Sequence, residues 1–135
     1  MSSNYQDIDI QTEKDIVTAR SHARRVAKKL EFSTVDQTRI ATAVSEIARN
    51  ALVHGGGGTM KINSLDQEVG LQVTIVDQGQ GIENIERAMK DGYSTRNSLG
   101  LGLGGAKRLM DEFEIQSQPG EGTKVIMTKY NSRRR

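Results

Sequence analysis

Glu46 and Asn50, two residues that could serve phosphate or metal chemistry, are four positions apart in a segment with helical periodicity. Side chains at that spacing lie one above the other on a helix face. A carboxylate and an amide oxygen so placed can hold a hard cation such as Mg²⁺, or can orient a nucleophile and take its proton. The pair also fits the polar edge of an amphipathic helix, so the spacing alone leaves both interpretations open.

A second candidate group follows the most regular strand pattern and consists of Asp77, Gly79 and Gly81. An ionised carboxylate only accepts hydrogen bonds, so Asp77 suits the amino group of a ligand such as adenine. The two glycines would let the backbone turn closely around a flat ring. An aspartate that forms an ordinary strand-to-loop turn explains the same residues.

Glycines at the start of a later helical pattern favour a close approach of the backbone to an anion. They are Gly100, Gly102, Gly104 and Gly105. Helix N-termini present unpaired N–H groups and the positive end of the helix dipole, which suits phosphate. The preceding residues 93–99 are polar and predict a loop, so these glycines would equally fit the hinge of a lid.

Two further polar residues are candidates with simpler explanations. Thr123 follows the turn at 119–122 and could reach a ligand with its hydroxyl, although a plain hairpin turn accounts for it as well. His54 ends a helix and is expected to act as a C-terminal cation or a structural residue. The chain has two histidines and no cysteine, which excludes disulfides, thiolate metal sites and a histidine-rich metal centre.

The elements that must position these residues follow from hydrophobic periodicity and capping signals. Thr12 is the expected N-cap of a first helix, and a second helix should run from Thr34, with Gln37 completing a capping box, to the glycines at 55–58. The sequence predicts strands over 5–10, 60–65, 71–76, 114–118 and 123–129, and further helices over 83–91 and 103–113.

Strands grouped with hairpin turns, and helices grouped outside them, predict an α+β sandwich with helices on one face of a mixed sheet. With 135 residues the chain can bury one hydrophobic core, so we expect a single domain over 1–135. Its core should span about 6–130, followed by a basic, solvated tail over 131–135.

Composition narrows the function classes. The chain is 35% hydrophobic and 27% charged, has no apolar run long enough for a membrane span and shows no signal-peptide pattern, so we expect a cytoplasmic protein and no membrane partner. A net charge of +2, five tyrosines and phenylalanines together and no tryptophan give little support for binding nucleic acid.

The order of these motifs resembles the N, G1, G2 and G3 boxes of the GHKL superfamily of ATPases and kinases over residues 38–123. The resemblance implies the Bergerat-type fold, with ATP and Mg²⁺ as cofactors. It implies that Asn50 binds Mg²⁺, that Asp77 contacts the adenine amino group with support from Thr123, and that Glu46 is the catalytic base. The remaining cofactor-binding positions that it implies are Gly79, Gly81, Gly100, Gly102, Gly104 and Gly105.

Within that superfamily, the stretches 35–40, 45–50, 91–95 and 107–113 are similar to the stand-alone serine/threonine kinases of bacterial partner switching, in particular the stressosome switch kinases of the anti-sigma regulatory factor family. This implies phosphorylation of STAS-domain antagonist proteins and activation of a PP2C-type phosphatase, and it is compatible with a homodimer. The chain departs from the pattern at Gly104, where proline is expected, and in the glycines at 55–58, which we expect to affect a loop and not the chemistry.

Two alternatives stay open at this stage. The first is an anti-sigma factor kinase of the RsbW or SpoIIAB type, which sequesters a sigma factor. The second is a non-catalytic interaction module gated by nucleotide, against which the presence of both Glu46 and Asn50 argues. The sequence does not identify the STAS substrate, the phosphorylated residue or the signal that triggers the switch.

Overall fold

The computed structural model describes residues 3–79 and 102–132. The helix predicted over 83–91, the loop predicted over 93–99 and the candidate residues Gly81 and Gly100 lie outside these ranges. The described helices are α1 (Glu13–Lys29), α2 (Thr34–Gly55) and α3 (Gly102–Leu109). The strands are β1 (Ser3–Asn4), β2 (Ile8–Ile10), β3 (Gly58–Ser64), β4 (Gly70–Asp77), β5 (Glu112–Ser117) and β6 (Thr123–Tyr130).

The strands form one sheet in the order β1-β3-β4-β6-β5, with β2 also paired to β3. Every pairing among the described strands is antiparallel, so the expectation of a mixed sheet is wrong for this part of the chain. The reason is that β6 returns from β5 through a tight turn and lies between β5 and β4. β4 and β5, which run in the same direction, are therefore not neighbours.

The helices cover one face of the sheet, as the sequence predicts. Along β4, residues at alternate positions are buried, as expected for a strand with one covered face: Leu71, Val73 and Ile75 are at most 2% exposed. The predicted apolar stripes of the helices meet them, and α2 packs against both α1 and α3. The core therefore lies between α2 and the central strands β3, β4 and β6.

The helix boundaries show where sequence patterns succeed and fail. Thr12 caps α1 in a capping box with Asp15, and the backbone N–H of Gln11 helps to hold the Asp15 pKa below its usual value. The predicted box at Thr34 is wrong, because Ser33 is the N-cap and accepts a hydrogen bond from the Asp36 N–H at 3.1 Å. The side chain of Gln37 donates instead to the carbonyl of Phe32 at 2.9 Å.

The helix predicted over 103–113 ends earlier, at Leu109, because β5 begins at Glu112 and Phe113 pairs with Met127. Asn131, which we placed at the start of the tail, is 1% exposed and donates to the carbonyl of Leu30 at 2.7 Å. No helix in the described ranges has the length and apolar character needed to cross a membrane.

Candidate functional site

Helix α2 places Glu46 and Asn50 on one face, and both side chains are partly buried. The carboxylate of Glu46 accepts a hydrogen bond from the backbone N–H of Gly102 at 3.2 Å. Gly102 is the first residue of α3, so this contact joins the first candidate group to the glycine-rich helix start. A carboxylate there also interacts favourably with the positive end of the helix dipole.

Asp77 is the last residue of β4 and is 9% exposed. It pairs with Thr123 of the neighbouring strand β6. One carboxylate oxygen accepts a hydrogen bond from the N–H of Gly79 at 2.9 Å. Burial raises the pKa of Asp77, while the N–H groups of Gly79 and Thr123 and the nearby charge of His54 oppose that increase. The result is a largely desolvated acceptor that still has capacity for a donor on a ligand.

The hydroxyl of Thr123 is oriented by Ser117, a residue that the sequence analysis did not single out. The Ser117 hydroxyl donates to the carbonyl of Gly122 at 2.9 Å and lies 2.9 Å from the Thr123 hydroxyl. With the Ser117 proton on Gly122, Thr123 is the donor of the hydroxyl pair, and its oxygen can still accept. Ser117 and Thr123 are paired in the β5–β6 hairpin. The register of that hairpin is not known from the sequence, so the sequence analysis could not identify Ser117.

A cavity of about 520 Å³ opens beside the ends of β4, β5 and β6. Residues that line it include Asp77, Ile115, Ser117, Gly122 and Thr123. Its volume lies in the range of ordinary small-molecule and cofactor pockets. The buried acceptor and the ordered threonine hydroxyl are thus both at the wall of a space that a ligand ring could enter.

The glycines of the candidate site divide into those that the structure places and those outside the described residues. Gly79 lies against Gly55 at the end of α2, and Gly102 has a φ of 58° at the start of α3. Gly104 and Gly105 are buried in the first turns of α3, which packs on α2. The two remaining positions, 81 and 100, are the ones that lie outside.

The glycine run at 55–58 was expected to affect only a loop, and the structure shows that this expectation is wrong. Gly55 is the last residue of α2 and lies directly against the side chain of Asp77. Gly58 begins β3 opposite Asp77, and a side chain there would meet the carbonyl of Val76. The run therefore borders the candidate ligand site, a relation that sequence spacing could not reveal because it joins α2 to β4.

His54 lies in the last turn of α2 and is exposed, as expected for a helix C-terminal cation. No group of three or more His, Asp or Glu side chains that could hold a metal ion occurs within residues 3–79 and 102–132. A divalent ion at Asn50 would therefore need oxygen ligands from a bound molecule or water to complete its coordination.

A family model described as histidine kinase-like ATPase domain matches residues 11–129 of the chain. The chain is 49% identical over 125 residues to the serine/threonine-protein kinase RsbT of Bacillus subtilis, covering 91% of this chain and 94% of that protein. It is also 36% identical to an anti-sigma F factor of Caldanaerobacter subterraneus, covering 87% of this chain and 86% of that protein. The anti-sigma F factor of Clostridium acetobutylicum is 37% identical, with 84% and 80% covered.

Among solved structures, the RsbU and RsbW domains of Rv1364c from Mycobacterium tuberculosis match with a TM-score of 0.65. The match covers 94% of this chain and 33% of that longer chain, at 20% identity, so it supports the fold alone. The observed α+β sandwich, in which α3 packs on α2 and α2 packs on the sheet, agrees with both kinds of comparison.

Proposed function

This chain belongs to the histidine kinase-like ATPase domain family, and we propose that it is an ATP-dependent protein serine/threonine kinase of a bacterial partner switch. The observation that carries the proposal is the hydrogen bond between Glu46 and the Gly102 N–H. It places a carboxylate at the helix start where phosphate groups would bind, in a chain 49% identical to a named serine/threonine kinase.

The adenine of ATP would bind in the cavity beside Asp77. The buried carboxylate accepts from the exocyclic amino group, and Thr123 supports this contact from the adjacent strand. Gly79 donates its N–H to Asp77 and so orients the acceptor. We assign Gly81 to the same turn from the sequence motif.

The phosphates would lie at the N-terminus of α3, where the N–H groups that follow Gly102 in the first turn are the donors, since the Gly102 N–H is held by Glu46. Gly104 and Gly105 allow close packing of α3 on α2. Gly100 belongs to this segment by the sequence motif. The amide oxygen of Asn50, one turn from Glu46, is a suitable hard ligand for Mg²⁺, which supplies charge neutralisation when it is bound with the phosphates.

Glu46 is the proposed general base. It takes the proton of the substrate Ser or Thr hydroxyl as that oxygen bonds to the γ-phosphorus and the bond to the ADP oxygen breaks. Phosphoryl transfer asks mainly for positioning and charge stabilisation, which a preorganised α2–α3 pair can provide. Because Gly102 holds one carboxylate oxygen, the base is oriented before the substrate arrives.

The substrates we propose are STAS-domain antagonist proteins, and the later partner is a PP2C-type phosphatase that the released kinase activates. Support comes from the similarity of residues 35–40, 45–50 and 107–113 to the partner-switching kinases and from the 94% coverage of RsbT. The proposal places the protein in the cytoplasm, and a homodimer is compatible with it.

A second candidate function is that of an anti-sigma factor, favoured by the 36% and 37% identities to anti-sigma F factors over most of the chain. Such a protein would also bind ATP in the same site, so the nucleotide site does not separate the two functions. What separates them is the protein partner.

The test is a phosphotransfer assay with γ-labelled ATP and Mg²⁺, with STAS-domain proteins from the same genome as acceptors. A parallel pulldown asks whether the ADP-loaded protein binds a sigma factor. Label on a STAS protein without sigma binding supports the switch kinase. Sigma binding moves the chain to the anti-sigma class, and nucleotide binding with neither outcome supports the non-catalytic module.

A further inference from the structure

Gly55 is the last residue of α2, and its position requires glycine for reasons of space. A Cβ built on Gly55 would lie 2.6 Å from Oδ1 and 2.7 Å from Cβ of Asp77, closer than real Cβ atoms approach other atoms. The neighbouring Gly56 is the left-handed cap, with a φ of 72°, and a Cβ there would meet nothing within 4 Å. The two adjacent glycines thus serve different purposes: one allows a contact and the other a turn.

Two more glycines complete the enclosure of Asp77. A Cβ on Gly79 would collide with the backbone of Gly55, and a Cβ on Gly122 would collide with the carbonyl of Asp77. The aspartate is therefore confined by the end of α2, by its own following turn and by the β5–β6 turn. Two members of this set meet the carboxylate itself: Gly79 donates its N–H to it, and Gly55 packs directly against it.

We propose that Gly55 is a positioning residue that sets the orientation of the Asp77 carboxylate and thereby the preference of the site for a purine with an exocyclic amino group. This inference rests on the proposed function, because it assumes that Asp77 receives the adenine. The N–H of Gly79 holds one carboxylate oxygen, and the close approach of Gly55 leaves the group little room to rotate.

A methyl group at position 55 must displace something, and the Asp77 side chain is the neighbour that can move. The end of α2 is fixed by its packing on β4 and by the Gly56 N–H, which bonds to the carbonyl of Ala51. Rotation of the carboxylate would lengthen any hydrogen bond to an amino group in the cavity. Nucleotides that lack this amino group would be much less affected.

The experiment measures the affinities of the full chain for ADP and for IDP, which carries a carbonyl in place of the adenine amino group, by titration calorimetry. Wild-type protein should prefer ADP by about tenfold or more, the value of one good hydrogen bond to a charged group. Gly55→Ala should lower this preference about fivefold or more, mainly by weakening ADP. Gly56→Ala is the matched control and should keep the wild-type preference, although its left-handed backbone lowers the melting temperature.

A wild-type preference that survives Gly55→Ala, or an equal loss of ADP and IDP affinity, would overturn the inference and leave the proposed function intact. Equal wild-type affinities for the two nucleotides would instead remove the assigned role of Asp77, and the inference with it. If Gly55→Ala folds poorly, a double-mutant cycle on thermal stability with Asp77→Gly decides. The cost of Gly55→Ala should largely vanish when the Asp77 side chain is gone, and a cost that persists overturns the inference.

Discussion

The two ends of α2 are held in place by opposite means. At the C-terminal end, Gly55 meets Asp77 through direct approach of backbone to side chain. At the N-terminal end, about 28 Å away by helix rise, Asp36 belongs to a charged cluster around Lys129. The Lys129 ammonium lies 3.8 Å from Asp36 and 3.5 Å from Asp111, and it donates to the carbonyl of Leu109 at the end of α3.

The two ends of α2 therefore differ in how well they tolerate a small displacement of their neighbours. Long charged side chains can shift by an ångström and keep most of their attraction, because Coulomb energy varies slowly with distance. The contact between Gly55 and Asp77 does not tolerate such changes, because any atom added at position 55 must displace a neighbour. The less tolerant end of α2 is the C-terminal one, which borders the proposed nucleotide site. This suits the Asp77 carboxylate, which must keep one orientation there.

The largest effect should come from Glu46→Gln, which tests whether Glu46 acts as the general base in addition to its hydrogen bond with α3. An amide oxygen can still accept from the Gly102 N–H, so the helices should stay in place. The side chain can no longer take a proton, so phosphotransfer should fall about 10²- to 10⁴-fold. Single-turnover transfer of label measures the rate, and calorimetry should find ADP affinity nearly unchanged.

The control for this change is Glu13→Gln, which alters an exposed carboxylate paired with Arg49 at 3.2 Å. It should leave the transfer rate at the wild-type value, because the pair is at the surface. A Glu46→Gln enzyme that retains activity within about tenfold of wild type would assign the proton to another group, since general-base catalysis is worth more than that.

The next largest effect should come from Asp77→Asn at the glycine end. The amide has lost half of the carboxylate's acceptor capacity, so ADP affinity should fall about 10- to 100-fold. The melting temperature should stay constant or rise, because burial raises the Asp77 pKa and the charged form is therefore costly in the fold. Asp7→Asn, at a half-exposed partner of Lys61, is the matched control and should change neither quantity appreciably. A loss of stability without loss of ADP affinity would contradict the assignment.

The sequence predicts the local half of this site well. Glu46 and Asn50 share a face through helical spacing, and Asp77 ends its strand as the alternation of Leu71 to Val76 indicates, because both patterns depend only on neighbours within a few positions. The family resemblance and the α+β fold are confirmed by the matched family model. The chemical roles of the site residues stay predictions.

The remaining half depends on contacts between distant segments, for which no local pattern exists. Gly55 reaches Asp77 because β3, which follows α2, pairs with β4. Ser117 meets Thr123 because the two residues are paired in the β5–β6 hairpin. Asn131 and Leu30 are 101 positions apart. Even the start of α2 required tertiary information, since Ser33 and Thr34 are both good caps and the buried Phe32 precedes them.

A smaller effect, confined to stability, should follow Lys129→Met at the charged end. The change preserves the packing of the stem but leaves Asp36 and Asp111 without their shared cation, so unfolding should become easier by about 1–3 kcal/mol in urea titrations, less than for a fully buried pair. Lys61→Met breaks a half-exposed pair with Asp7 at 3.3 Å and should cost under about 1 kcal/mol. The ratio of ADP to IDP affinity should stay at the wild-type value in both variants. A changed ratio in Lys129→Met would mean that the two ends of α2 are coupled.

The smallest effect concerns His22, a partly buried residue of α1. Its Nε2 is buried with no hydrogen-bond partner among the described residues, and burial together with the charge of Arg25 lowers its pKa below 6.5, against an opposing backbone contact with Gln6. As pH falls through 6.5, the unfolded chain therefore binds a proton before the folded chain does, and the free energy of unfolding decreases. Urea unfolding at pH 7.5 and 5.5 should show a smaller decrease for His22→Gln than for wild type, with the exposed His54→Gln as the comparison. Equal decreases in wild type and His22→Gln would mean that His22 binds its proton equally well in both states, so that other groups carry the acid sensitivity.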